Sequence, residues 1–279
     1  MSAIISAIQM ASGPQIKANL MEACRLIREA AGKGAEMVVL PECFALMAMA
    51  DADIIEQAET YGSGMIQDAL RDCAIENTVW IVAGSIALKS ENSEKVFNAS
   101  LIFNQRGEIV ARYNKIHLFD VDIEGEKAYR ESDTFIPGND IKVVDTPMGR
   151  IGMSICYDLR FPVLYHEMVK QGAQILLIPA AFTYATGKMH WETLIKARAI
   201  ENQCYVIAPA QGGYHVNGRR TYGHSMVVDF LGKIHDIRLK GNGIASITID
   251  LKAQQQLRKR FPVLEVERNK TRNQLLSYS

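Results

Sequence analysis

Short continuous apolar runs alternate along this chain with longer stretches of helical periodicity. Ile16, Leu20, Ala23, Ile27 and Ala30 keep the spacing of one helix face, and Gly32 and Gly34 close that helix. Val38, Val39 and Leu40 follow without a polar interruption, which reads as a strand buried on both faces. Ile66, Ala69, Leu70 and Cys73 mark a second helix, Val79 to Ala83 a second strand, and Asn104 to Gly107 a turn between two more strands. Helices alternating with apolar strands predict layered α/β packing.

The pattern then repeats. GAEMVVLPECF at 34–44 returns as GAQILLIPAAF at 172–182, and AIENTVWIVAG at 74–84 as AIENQCYVIAP at 199–209. NASLIFNQRGEI at 98–109 returns as GHSMVVDFLGKI at 223–234, with Ser100 matching Ser225 and Gly107 matching Gly232. The order is the same in both halves, and the second and third matches share one offset. Two copies of a strand–helix–strand–helix–hairpin unit can face each other sheet to sheet, with helices outside. No Pro-, Gly- or Ser-rich linker separates them, so one compact domain over 1–279 is expected. The path from Phe44 to Ala74 exceeds its counterpart from Phe182 to Ala199. The extra residues, about 45–63, are a candidate lid or pocket wall.

Composition narrows the class. The chain has 279 residues, 48% hydrophobic and 22% charged, as in an ordinary globular protein. Thirty-one basic residues balance thirty-one acidic ones, which disfavours nucleic acid and anionic membrane surfaces as partners. The start, MSAIISAIQM, reads as a core strand and not a signal peptide, and no apolar run is long enough to span a bilayer. Five scattered cysteines without a Cys-x-x-Cys pair argue against a disulfide framework or a zinc cluster, which makes the cytoplasm the expected compartment.

The richest stretch chemically is GRIGMSICYDLRFP, Gly149 to Pro162. It reads as strand, sharp turn and helix, with the thiol of Cys156 at the turn and free backbone N–H groups beside it. Cys156 is either a small buried hydrophobe or a nucleophile. Ser154, two residues earlier, is expected to point into packing, because Cys156 stands where a serine-hydrolase elbow has glycine. Glu42 lies just past an apolar strand, where open α/β sheets place ligands, and its repeat counterpart is Ala180. It is therefore not needed by the repeated unit; the alternative is a solvated loop glutamate. Lys115 ends the strand that starts near Glu108, either as a desolvated catalytic amine or as a surface lysine. Together, Glu42 could take a thiol proton, while the Lys115 ammonium and the Tyr157 N–H could hold an oxyanion.

LPECF at 40–44, YNKIHLFD at 113–120 and GMSICYDLRFP at 152–162 occur in the order found in the nitrilase superfamily of carbon–nitrogen hydrolases, which the chain resembles over nearly its whole length. The resemblance implies a four-layer αββα sandwich built from two pseudo-symmetric halves, no cofactor, and a Glu-Lys-Cys triad: Glu42 as general base, Lys115 as stabiliser of the intermediate, Cys156 as nucleophile. A second family glutamate matches Glu131, with Glu126 as a nearby competitor. Within the superfamily the chain looks most like the Nit branch of amidases. Its segment QGGYHVNGRRTYGHSMVVD, 211–229, resembles the members that release cysteinylglycine from deaminated glutathione more than the ω-amidases acting on 2-oxo acid amides.

For the substrate, Phe182 and Thr183 are expected as pocket walls beside Tyr157. His190 and Trp191 either line the pocket or, for Trp191, join the core. Arg219, Arg220 and His215 are candidate partners for substrate carboxylates. Arg160 is expected to pair with Asp158. Two other classes stand as alternatives: a Cys–His pair using His190 or His224, and a binding scaffold that has lost catalysis. A metal hydrolase lacks a ligand motif. The polar, basic tail from Gln254 to Ser279 is read as a solvated end or a segment that docks on a partner subunit, and the family resemblance implies a homodimer or larger homo-oligomer.

Overall fold

The computed structural model describes residues 2–122 and 128–265. The first half runs β1 (Ala3–Gln9), α1 (Ile16–Gly32), β2 (Met37–Val39), α2 (Met65–Asn77), β3 (Trp80–Val82), β4 (Ile86–Lys89), β5 (Val96–Phe103) and β6 (Ile109–Asn114). The second runs β7 (Lys142–Thr146), β8 (Gly149–Met153), α3 (Pro162–Lys170), β9 (Ile175–Leu177), α4 (Tyr184–Asn202), β10 (Tyr205–Ala208), β11 (Ser225–Val228), β12 (Ile234–Arg238), β13 (Gly243–Ile249) and α5 (Leu251–Arg260).

A seven-stranded sheet has the order β13-β1-β2-β3-β5-β4, with β6 also on β5; a six-stranded sheet has the order β12-β11-β10-β9-β8-β7. Alternation along each strand builds the layers. Ala3, Ile5, Ala7, Met37, Val39, Val82 and Ile102 face the core shared with the second sheet. Ile8, Val38, Leu40, Ile81 and Leu101 face the opposite way, onto Leu20, Ala23 and Ile27 of α1 and Leu70 and Ala74 of α2. Helices α3 and α4 cover the other sheet with Tyr165, Met168, Trp191 and Ile195. The result is the four-layer αββα sandwich. The halves are interlocked, since β13, last in the second half, pairs antiparallel with β1, Ala3 opposite Ile249.

The duplication extends to single hydrogen bonds. Asn104 Oδ1 accepts from the N–H groups of Arg106 and Glu108, and Asp229 Oδ1 accepts from those of Leu231 and Lys233. Gly107 (φ 75°) and Gly232 (φ 82°) complete these equivalent turns. The matched helices α2 and α4 both end on a left-handed residue, Thr78 (φ 52°) and Gln203 (φ 47°).

Two features depart from expectation. Cys24 of α1 and Cys73 of α2 form a disulfide, with Cα atoms 6.2 Å apart. Helix packing brings them together across 49 residues of sequence, which cysteine spacing cannot reveal. The segment from Gln254 is not a free end over its described part. Gln254 Nε2 donates to the carbonyls of Gln174 and Gln203, and the Arg258 guanidinium donates to those of Ala173 and Gln203, docking α5 on the chain's own second half. Among the described residues, no helix is long and apolar enough to cross a membrane.

Candidate active site

A cavity of about 720 Å³ opens where strand ends of the two sheets meet. Glu42, Lys115, Glu131 and Cys156 line it. Glu42 follows β2, Lys115 follows β6, and Glu131 opens a short 3-10 turn, Glu131–Asp133. Cys156 heads a second 3-10 turn, Cys156–Arg160, before Pro162 begins α3. The elbow is strained: Cys156 takes φ 50°, a region that residues with a Cβ seldom occupy. Its N–H donates to Pro179 O at 2.8 Å, pinning the turn to the end of β9.

Lys115, 2% exposed, donates from Nζ to Glu42 Oε1 at 2.9 Å and to Glu131 Oε1 and Oε2 at 3.0 and 2.8 Å. Asn98 Nδ2 bridges the same carboxylates, at 3.1 Å to Glu42 Oε1 and 3.0 Å to Glu131 Oε1. Glu42 Oε2 accepts the Ala181 N–H at 2.8 Å, and Glu131 Oε2 accepts the Phe119 N–H at 2.7 Å. The Cys156 thiol lines the same cavity, and the Glu42 charge acts on it. Every charge in this cluster thus has partners, which a buried charge requires.

Electrostatics follow from that arrangement. Burial opposes the negative charge on Glu42, but Lys115 and the Cys156 thiol outweigh it, so its carboxyl lies below the ordinary value. Burial also opposes the Lys115 ammonium, but Glu131 and Glu42 together raise it well above the usual lysine range. Burial and then the adjacent Glu42 charge push the Cys156 thiol well up. The resting site is a neutral thiol beside a carboxylate. A second thiol, Cys43, also lines the cavity; burial and Glu42 push it up to about 12.

Tyr157, Phe182 and Thr183 line the cavity, and Arg219 and Arg220 join them. The insertion is part of the wall: Leu46 to Asp51 and Ile54, partly in the short helix Asp51–Glu56, line the cavity. Ser154 packs as expected, its Oγ bonded to Tyr165 Oη and Leu177 O.

Other expectations are corrected. His190 is exposed and outside the cavity lining; α4 turns it outward, where its Nδ1 lies 3.4 Å from Arg160. Trp191 takes the core alternative of its two readings, with Nε1 donating to His224 O at 2.9 Å. His215 is a structural histidine: Nδ1 donates to Ser12 O at 2.8 Å, which leaves Nε2 to accept from the Thr221 hydroxyl at 2.7 Å. Arg160 does not pair with Asp158. It stacks over Phe182, while Asp158 is fully buried and accepts from Tyr113 Oη, the His117 N–H and Nδ1, and the Ile155 N–H. Glu126 lies outside the described residues. Asn98 is a site residue that the motifs did not indicate. Its signal was a polar residue on an apolar strand whose repeat counterpart is Gly223, as Glu42 is replaced by Ala180. Among the described residues, no three His, Cys, Asp or Glu side chains cluster to hold a metal.

Comparison with known proteins identifies the family and the fold. The carbon–nitrogen hydrolase family model matches residues 4–259. The chain is 42% identical to the deaminated glutathione amidase of Yersinia enterocolitica, over 96% of this chain and 93% of that protein. Among solved structures it is similar to the NitFhit protein of C. elegans, with 40% identity and a TM-score of 0.89, over 95% of this chain and 64% of that longer one. It is also similar to Saccharomyces cerevisiae Nit3, of branch 10 of the nitrilase superfamily, with 30% identity and a TM-score of 0.84, over 94% of each chain.

Proposed function

We propose, for a chain that belongs to the carbon–nitrogen hydrolase family, that its cavity hydrolyses an amide through a thioester on Cys156. Glu42 takes the thiol proton as sulfur attacks the amide carbonyl. Lys115 and the Tyr157 N–H, in the first turn after the nucleophile, hold the developing oxyanion. Glu42 returns its proton to the leaving amine and then activates the water that hydrolyses the thioester. Glu131 and Asn98 position Lys115 and Glu42 without touching the reacting carbon.

The observation that carries this reading is the placement of Glu42. One carboxylate receives the Lys115 ammonium and the Ala181 N–H, in the cavity that the Cys156 thiol also lines. A general base needs to reach the proton it removes, and the Glu42 charge is the one that acts most strongly on this thiol.

The substrate we propose is deaminated glutathione, cleaved to 2-oxoglutarate and cysteinylglycine, on the likeness to relatives of that name. Purified protein offered deaminated glutathione and 2-oxoglutaramate separately should show the higher kcat/KM on the first, and the folded Cys156→Ala variant should release no product. Preference for 2-oxoglutaramate would overturn the substrate, and normal turnover by Cys156→Ala would overturn the mechanism.

A further inference from the structure

Arg219 lines the cavity with a guanidinium that no carboxylate among the described residues hydrogen-bonds. Its Nη2 donates to Ala181 O at 2.9 Å, and its guanidinium lies over the Tyr129 ring, 5.5 Å from the centroid. Its Nε–H is buried and has no acceptor among the described residues. The loop that carries it is bolted down. His215 N–H donates to Arg219 O, His215 itself is held by Ser12 and Thr221, and Asn217 Nδ2 donates to Ala48 O at 2.7 Å in the facing wall. The other cations lining the cavity are committed. Lys115 is held between Glu42 and Glu131 at the reacting end, Arg130 pairs with Asp122, and Arg220 is exposed, stacked on Tyr184 and Tyr214.

We infer that Arg219 receives a carboxylate of the amide substrate and makes the site select acidic over neutral amides. A guanidinium presents donors in a planar fork that matches a carboxylate, and this one is half-buried at the cavity wall, where a charge-assisted bond is stronger than in water. A preorganised loop also loses little conformational freedom on binding. The inference rests on the hydrolytic reading of this cavity.

Two substrate pairs test it. Glutaramate and valeramide differ by a carboxylate on the acyl side; valeryl-cysteinylglycine and its C-terminal carboxamide differ by one on the leaving side. Arg219→Gln should collapse the acid-to-neutral ratio of kcat/KM by about 10- to 100-fold in one pair, through KM, as expected for a hydrogen-bonded charge. Arg219→Lys should retain part of it. The pair that collapses identifies the end of the substrate held. Survival of both ratios, or an equal kcat loss on acid and neutral amides, would overturn the proposal; the second outcome would make Arg219 a prop for Ala181 and Glu42. Calorimetric titration of glutarate into Cys156→Ala, with and without Arg219→Gln, reads the acyl-side contact without turnover. An inactive wild type would sink the hydrolytic reading. Arg219 would then stand if glutarate binds at least tenfold more weakly to the double variant, and fall otherwise.

Discussion

The Tyr113 hydroxyl donates to Asp158 Oδ2 at 2.7 Å across the boundary between the two halves, with both residues buried. Tyr113 precedes Lys115 by two residues, and Asp158 follows Cys156 by two. The bond therefore fixes the distance between the ammonium and the thiol. His117 reinforces it, giving Asp158 Oδ1 its backbone N–H and ring Nδ1 and stacking on Phe161 at 3.6 Å. Tyr113→Phe removes one bond to a buried carboxylate. It should cost about 1.5–3 kcal/mol in chemical denaturation and lower kcat more than KM. A variant as stable and as fast as the wild type would remove this role.

Lys115 is a buried cation held by two carboxylates, and such groups are costly to remove singly. Lys115→Met leaves Glu42 and Glu131 facing each other without a counter-charge. Breaking a buried pair this way costs about 3–5 kcal/mol, so a clear fall in melting temperature should accompany loss of turnover. The double variant Lys115→Met with Glu131→Gln should recover part of the stability and none of the activity. Recovered activity would show that the ammonium is not needed for the oxyanion.

The pH profile should lack an acid limb near neutrality. Glu42 must be ionised to act, and its carboxyl lies below the ordinary value of 4.5. The kcat/KM of the free enzyme should hold as pH falls through 6.5, the ordinary histidine value, and drop only below the usual carboxylate range. Stability has the same sign. A carboxyl depressed by folding stabilises the native state above 4.5, and that contribution is lost as pH falls through its native value. An acid limb near 6.5 in kcat/KM would instead indicate a histidine base.

Elements and motifs were legible where local chemistry is sufficient. The strand Met37–Val39, the helix closed at Gly34 and the turns at Gly107 and Gly232 follow from periodicity and backbone freedom, which depend on near neighbours alone. The duplication was legible because both copies answer to the same packing rules. It marks Glu42 and Asn98 alike, because each breaks the repeat. Arg160 and His190 were misread because side-chain partnership is decided by which element packs alongside. Asp158 was claimed by Tyr113 and His117, more than forty residues away in sequence. The sequence by itself determined the layers, the repeat, and three reactive side chains at strand ends. Only the tertiary structure decided which of those ends meet, that Glu42 is shared between Lys115 and Ala181 in the cavity Cys156 lines, and that Arg219 lines that cavity while His215 does not. Those outcomes depend on how the two halves interlock, and strand periodicity carries no information about the face it is packed against.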